Sequence, residues 1–596
     1  MFKNCFPFLF KAKNMETSAK ATGLIASPPA VVTASASLTS IMDDYMTFMA
    51  KTAPVFAPIF GIDDHPDDIF NASKEFHDES ISTIRNLLGR AKAIDATQLT
   101  TTERDHLELV KGALSDAILS DTCYEYEIPA THMYGGFASF HSGMSGFQSL
   151  KSVKDAENYV SRLNKTPERF NQCIDGFRAG IAKGITLPAE SIKLMIELCD
   201  NMAPEDPTES IFHKLFTDKF VAIDLPADYA VPAIRDSLVP AYKAVKVFLE
   251  TEYLPHARTT AGIYGLADSK RVYDDLIYLH TTVRYTADEL YELGLQEVAR
   301  IRARMEEIKD KVYTGTYAEF LVALKDREQF PQLHFATGDD CVPHYKALIE
   351  RIDKKMPEYF NKFPKFPCNV EAVPTAAESS SPVAFYQPGT ADKAGTFSTN
   401  VLLSKGSPMH SAMALTLHEA NPGHHHQTSL ALEMPVAHTF LKTIFNTAYS
   451  EGWGLYSEFL GEEMGMYDTA FDLFGRLELE MFRALRLVVD TGLHTRGWTI
   501  DQCVETMKEH LSMTHEEILS EVKRYSIMPG QALAYKVGEI KIREVRSYAE
   551  EQLGSKFDIR AFHDIVIDHG SVRLETLELN VKEWTLSVLS AAAPVV

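Results

Sequence analysis

Thr286-Ala-Asp-Glu-Leu-Tyr-Glu-Leu-Gly-Leu-Gln-Glu-Val-Ala-Arg-Ile-Arg-Ala-Arg-Met-Glu-Glu-Ile-Lys-Asp-Lys-Val312 is the plainest helical text in the chain. Thr286 is placed to cap it, and Asp288 and Glu289 lie in its first turn, where the helix dipole favours anions. Leu290, Leu293, Val298 and Ile301 approximate an apolar stripe at helical spacing. Similar patterns recur at 103–119, 156–163, 191–202 and 233–249. Prolines 364, 367, 374, 382, 388 and 408 then break the text, and within the break Val383-Ala-Phe-Tyr386 and Thr396-Phe-Ser-Thr-Asn-Val-Leu-Leu403 read as short strands. Helical text resumes to the end. The fold expected is mainly α, with a small β insert just before the densest polar cluster. Residues 1–37, rich in Ala, Ser and Thr from 17 onward, read as a disordered leader. Residues 38–363 read as an N-terminal helical region and 364–596 as the region that carries the chemistry, the two expected to form one integrated fold.

Composition narrows the function. The 596 residues are 45% apolar and 24% charged, an ordinary globular balance, and the net charge is −23. So acidic a surface repels phosphate backbones and anionic lipid, which argues against nucleic-acid binding and membrane docking. No stretch approaches the roughly 18 consecutive apolar residues of a membrane span. The seven cysteines (5, 123, 173, 199, 341, 368, 503) are scattered with no C-x-x-C pair, so neither a disulfide framework nor a thiolate metal site is indicated. A reducing compartment is expected, the cytoplasm first. The apolar part of the N-terminus is too short for a secretory signal, although the absence of acids before Glu16 leaves an organellar leader open. The sequence leaves the oligomeric state open.

The polar cluster is Leu415-Thr-Leu-His-Glu-Ala-Asn-Pro-Gly-His-His-His-Gln427. Four histidines and a glutamate fall within nine residues, after a mostly apolar run from Ala412 to Leu417. Imidazoles suit zinc, and an adjacent carboxylate suits a base acting on water. A histidine-rich surface turn would share the composition but not the apolar lead-in. His418-Glu419 opens the H-E-x-x-H pattern, but the next histidine comes late. On an ideal helix His424 lies roughly 600° from His418, on the wrong face, and His425 lies about 10.5 Å along the axis. Pro422 clashes with the carbonyl of His418, so the helix must bulge or end at Asn421-Pro422-Gly423. Looping out two residues would present His424 as second ligand; looping out three would present His425.

Tyr449-Ser-Glu-Gly-Trp-Gly-Leu-Tyr-Ser-Glu458 follows at the distance of a third ligand. Glu451 is the ligand expected, and Glu458, seven residues on and so on the same face, is expected to support the ligands from behind. Downstream, Arg486, Asp490 and His494 repeat an i, i+4 spacing that also suits a buried ion pair. Arg524, Tyr525, Gln531 and Tyr535 flank the Pro529-Gly530 turn. Tyrosines there would either close the core or donate to an oxyanion.

With these stretches in view, the sequence resembles the domain of unknown function 885 family. His-Glu-x-x-Pro-Gly-His-His-x-Gln stands at 418–427, Glu-Gly-Trp-x-Leu-Tyr-x-Glu at 451–458, Val-Asp-Thr-Gly-Leu-His at 489–494 and Pro-Gly-Gln-x-x-x-Tyr at 529–535. The resemblance runs from about residue 40 to the C-terminus, including Thr260-Ala-Gly-Ile-Tyr-Gly265 and Phe562-His-Asp564. That family is in turn similar to helical gluzincin zinc peptidases of the thermostable carboxypeptidase and angiotensin-converting enzyme type. Their His-Glu-x-Gly-His motif, laid on Gly423-His424, implies a two-residue insertion and favours His424 over His425. Their later glutamate ligand matches Glu451. Gln531 stands where their first tyrosine would be, so Tyr535 is the expected oxyanion donor, with His494 behind it.

The resemblance thus implies two helical halves flanking a deep cleft. It implies a peptidase in which one zinc ion is held by His418, His424 and Glu451, with Glu419 as general base. The β insert would pair with an extended peptide, with Asn400 as a contact. Arg524, then Arg486, are the cations suited to a peptide's terminal carboxylate, unless both serve nearby acids. A non-peptidase metallohydrolase (amidase or esterase), a non-catalytic metal-binding protein and a redox metal protein are the rival readings.

Overall fold

The 286–312 stretch folds as its sequence predicts. The Ala287–Val312 helix is capped reciprocally: the Thr286 hydroxyl accepts the Glu289 N–H, and the Glu289 carboxylate accepts the Thr286 N–H. Its buried seam is Leu290, Gly294, Ile301, Met305 and Ile308, and Leu293 and Val298 are only half-buried beside it. It packs along the Ala470–Thr495 helix.

The computed structural model describes residues 33–219, 223, 225–373, 383–389, 394–406, 408–434 and 438–591. Most of the leader expected at 1–37 lies outside the described residues. Its last residues do not: Thr33 caps a helix that begins at Ala34. The expected helices at 103–119, 156–163 and 191–202 lie inside Thr101–Asp121, Val153–Asn164 and Ala189–Met202. The one expected at 233–249 is not a plain α-helix. A π-helical turn, Ile234–Leu238, precedes Val239–Phe248, and the widened turn accommodates Pro240, which would otherwise clash with the carbonyl of residue 236.

The described chain falls into two compact units, 33–259 with 438–444, and 260–434 with 445–591. The break therefore comes at 260, not at the proline run at 364. Residues 260–363 go with the later chain because the Ala287–Val312 helix buries its seam against Ala470–Thr495. In the first unit, Ala34–Thr52, Lys74–Lys92 and Thr101–Asp121 share a core that includes Ile41, Met49, Leu87, Leu107 and Leu114. In the second, Ile301, Phe320, Leu477, Met481, Leu485 and Val522 are part of one continuous cluster.

The β insert has three strands, β1 (Asn369–Ala372), β2 (Ala384–Gln387) and β3 (Thr396–Thr399), ordered β1-β3-β2. β1 runs parallel to β3, and β2 antiparallel. β1 carries only one buried residue, Val370, and so gave no pattern to read. β3 stops at Thr399 because Val401–Gly406 turns into a helix capped by Asn400. Along β2 the Val383 carbonyl accepts the Asn400 N–H. By antiparallel alternation the N–H groups of Ala384 and Tyr386 face away from β3. Among the described residues no helix is long and apolar enough to cross a membrane.

Candidate metal centre

The Ala412–Glu419 helix buries nearly all its residues and stops where Pro422 forbids continuation. The backbone leaves helical geometry at Ala420 (φ −99°, ψ −113°), and a second helix, His424–Glu433, begins after Gly423. A Cβ on Gly423 would stand 1.8 Å from the His418 carbonyl oxygen, so only glycine allows so close a reversal. The expected interruption is thus a full break between two helices.

The break brings His424 to His418. Their rings are perpendicular with centroids 4.8 Å apart. The Nε2 atoms of His418 and His424 lie 3.5 and 3.4 Å from Glu451 Oε2. One ligand atom from each of the three residues falls within 4.8 Å of the others. Glu451 comes from the Thr447–Glu463 helix, which passes under His418 at Gly454; a Cβ there would meet the imidazole at 2.7 Å.

The seven-residue spacing of Glu451 and Glu458 places both carboxylates on one imidazole. His418 Nδ1–H donates to Glu458 Oε1 at 2.7 Å, which leaves Nε2 aimed at the triad. Burial alone would lower the His418 pKa, but its bonds to Glu451 and Glu458 prevail and raise it to about 9. Burial would raise the Glu451 carboxyl, yet the two histidines hold it well below the usual range. Both shifts favour positive charge next to the Glu451 carboxylate. Glu419, half-buried beside them, accepts the Tyr386 N–H from the outer edge of β2 at 2.9 Å.

His425 is turned away. Its Nδ1 lies 3.1 Å from the Tyr386 hydroxyl and its Nε2 3.2 Å from the Phe366 carbonyl, and burial lowers its pKa to about 4. It holds the insert and is neither a ligand nor a support for one. His426 packs in the core against Phe360 and Phe363.

The remaining expectations divide. Tyr535 is half-buried, and burial, then the Glu451 charge, raises its hydroxyl pKa. Gln531 Oε1 accepts Arg524 Nη1 at 2.6 Å. His494 is corrected: it is buried, its Nδ1 accepts the Ile263 N–H at 3.2 Å and its Nε2–H donates to the Tyr525 carbonyl at 3.1 Å. Both ring nitrogens are spent on backbone, so it is no oxyanion donor. Asn400 is likewise corrected from substrate contact to fully buried helix cap. Arg524 and Arg486 pair with Glu521 and not with Asp490. Glu521 and the Tyr386 N–H escaped the sequence reading. The i, i+3 spacing of Glu521 and Arg524 was a usable signal for the first; the second had none.

Asp490 is fully buried, and its Oδ1 accepts the Tyr273 hydroxyl at 2.5 Å and the Gly530 N–H at 3.0 Å. Burial raises its pKa from 3.8 to about 7, against Tyr273, Gly530, Arg524 and Arg486, which lower it. Its Oδ2 lies 3.9 Å from His494 Nε2. Between those two pH values the folded protein holds a proton that the unfolded chain has released, so stability falls as pH rises through the interval. From pH 5 to 8 the wild type should lose about 2–3 kcal/mol more than Asp490→Asn. Denaturant unfolding at both pH values checks this; equal losses would remove Asp490 as the source.

Two solved structures share the fold. One, described as "the putative lipoprotein from Colwellia psychrerythraea", is 26% identical with a TM-score of 0.87, over 94% of this chain and 100% of that one. The other, from Shewanella oneidensis and described as "a putative lipoprotein of unknown function", is 18% identical with a TM-score of 0.68, over 92% and 99%. No curated protein matches the chain. Residues 54–581 match the family described as "Bacterial protein of unknown function (DUF885)". With its motifs spread from 418 to 535 inside that match, the chain belongs to the DUF885 family.

Proposed function

We propose that the protein is a zinc-dependent peptidase acting on short peptides. The observation that carries this reading is the convergence of His418, His424 and Glu451, with Glu419 alongside and Glu458 fixing the His418 tautomer. Two imidazoles and one carboxylate match the three-ligand set of catalytic zinc, which keeps a fourth position open. Zinc, when bound, supplies Lewis-acid polarisation of water and of the scissile carbonyl. Glu419 takes the proton from the attacking water and returns it to the leaving amine, and its carboxylate is held in place by the Tyr386 N–H. Tyr535 donates to the developing oxyanion. The outward N–H of Ala384 on β2 is suited to an extended peptide backbone. The resemblance of the 418–427 and 451–458 motifs to those of helical gluzincin peptidases is part of this reading.

Metal analysis of the purified chain, joined to a peptide-library digest read by mass spectrometry, tests it. We expect about one zinc per chain, and cleavage that chelation abolishes and zinc restores. Absence of bound metal would overturn the reading. Hydrolysis of small esters or amides with peptides untouched would move it to a non-peptidase metallohydrolase. For compartment, the scattered cysteines favour the cytoplasm, whereas the 26%-identical solved structure is described as a putative lipoprotein; fractionation of the tagged full chain decides between these.

A further inference from the structure

Beside the metal triad lies a charged cluster in which one carboxylate serves two guanidiniums. Arg486 directs Nε to the Tyr525 hydroxyl at 3.0 Å and Nη2 to Glu521 Oε2 at 3.1 Å. Arg524 places Nη2 on the same Glu521 oxygen at 2.9 Å and Nη1 on Gln531. Tyr525 also donates to Glu521, at 2.9 Å. A second acid, Asp490, spends Oδ1 on Tyr273 and Gly530, and its Oδ2 makes no hydrogen bond among the described residues.

Arg524 is satisfied by these partners, whereas Arg486 is not. Its side chain is 6% exposed, and its Nη1 is buried without a hydrogen-bond partner among the described residues. The guanidinium lies 4.1 Å from the Phe482 ring centroid and 4.3 Å from that of Tyr535, so aromatic rings occupy its surroundings and the Nη1 edge is what remains. Tyr535, which Arg486 stacks against, in turn feels the charge of Glu451. A buried cation with an unmet donor is unfavourable until an anion reaches it. An arriving carboxylate would give Nη1 its acceptor and match two guanidiniums with two anions, through the charge-assisted geometry for which arginine is suited.

We propose that Arg486, rather than Arg524, reads a carboxylate of the substrate beside Tyr535. The proposal rests on the peptidase reading above. That carboxylate is either the peptide's C-terminus or an acidic side chain close to it.

The test uses zinc-loaded full-length Glu419→Gln protein, in which peptides bind without turnover. Calorimetry would compare acetyl-Ala-Ala-Ala as the free acid, its C-terminal amide, and acetyl-Ala-Ala-Glu amide. The free acid should bind about tenfold or more tighter than its amide. If the acidic side chain is the group read, acetyl-Ala-Ala-Glu amide recovers that affinity. Adding Arg486→Met should collapse the preference, while Arg486→Lys retains part of it. Should the methionine variant fail to fold by circular dichroism, inhibition of the wild type by the tripeptide acid against its amide gives the same comparison. Equal binding of all three peptides, or a preference that survives Arg486→Met, would overturn the inference. The peptidase reading would stand in that case if the wild type still cleaves peptides through Glu419. Tight binding of the acid without cleavage by the wild type would instead keep the carboxylate subsite and discard the peptidase.

Discussion

Glu419→Gln should keep the fold and the zinc and lose about 10²–10⁴-fold in turnover, the scale of a lost general base. The substitution is nearly isosteric, and the glutamine carbonyl can still accept the Tyr386 N–H that positions Glu419. What disappears is basicity. Because Glu419 lies outside the triad of His418, His424 and Glu451, metal content should match the wild type. Steady-state kinetics on a cleaved library peptide, with zinc measured on the same preparation, checks both halves. Full activity with zinc bound would sink the mechanism.

His424→Ala should release the metal, and so should Glu451→Ala. Each removes one of three donors, and the remaining pair cannot close the site. His425→Ala should behave differently despite being the adjacent histidine. Its ring bonds Tyr386 and the Phe366 carbonyl, so its loss should cost about 1–3 kcal/mol of stability with zinc retained. Glu458→Ala should fall between them, weakening zinc by about 10–100-fold because His418 loses the partner that fixes its tautomer. Competition titration with a chromophoric chelator ranks the four variants. A zinc-replete His424→Ala protein together with a zinc-free His425→Ala protein would reverse the assignment.

The helices were legible where they are locally coded. Thr286 with Glu289, and the seam begun by Leu290 and Ile301, needed nothing beyond their own segment. The helix break was legible for the same reason, since the clash of Pro422 with the His418 carbonyl is a property of the backbone. The pairing of Glu451 with Glu458 was half-legible: seven residues put both on one face, but not on one imidazole.

By itself, then, the sequence determined the helical class and the interruption at Asn421-Pro422-Gly423, and it singled out His418, His424 and Glu451, which the fold brings together. Tertiary structure alone decided which side chains are free to act. Glu419 is set by a strand 33 residues before it. His494 is consumed by Ile263, 231 residues away. Arg524 is satisfied by Glu521 and Gln531 while Arg486 keeps an unmet donor. Local spacing fixes the direction in which a residue leaves its helix, because that follows from backbone geometry. Whether its polar atoms are spent or spare depends on partners that only the folded chain brings within hydrogen-bond reach.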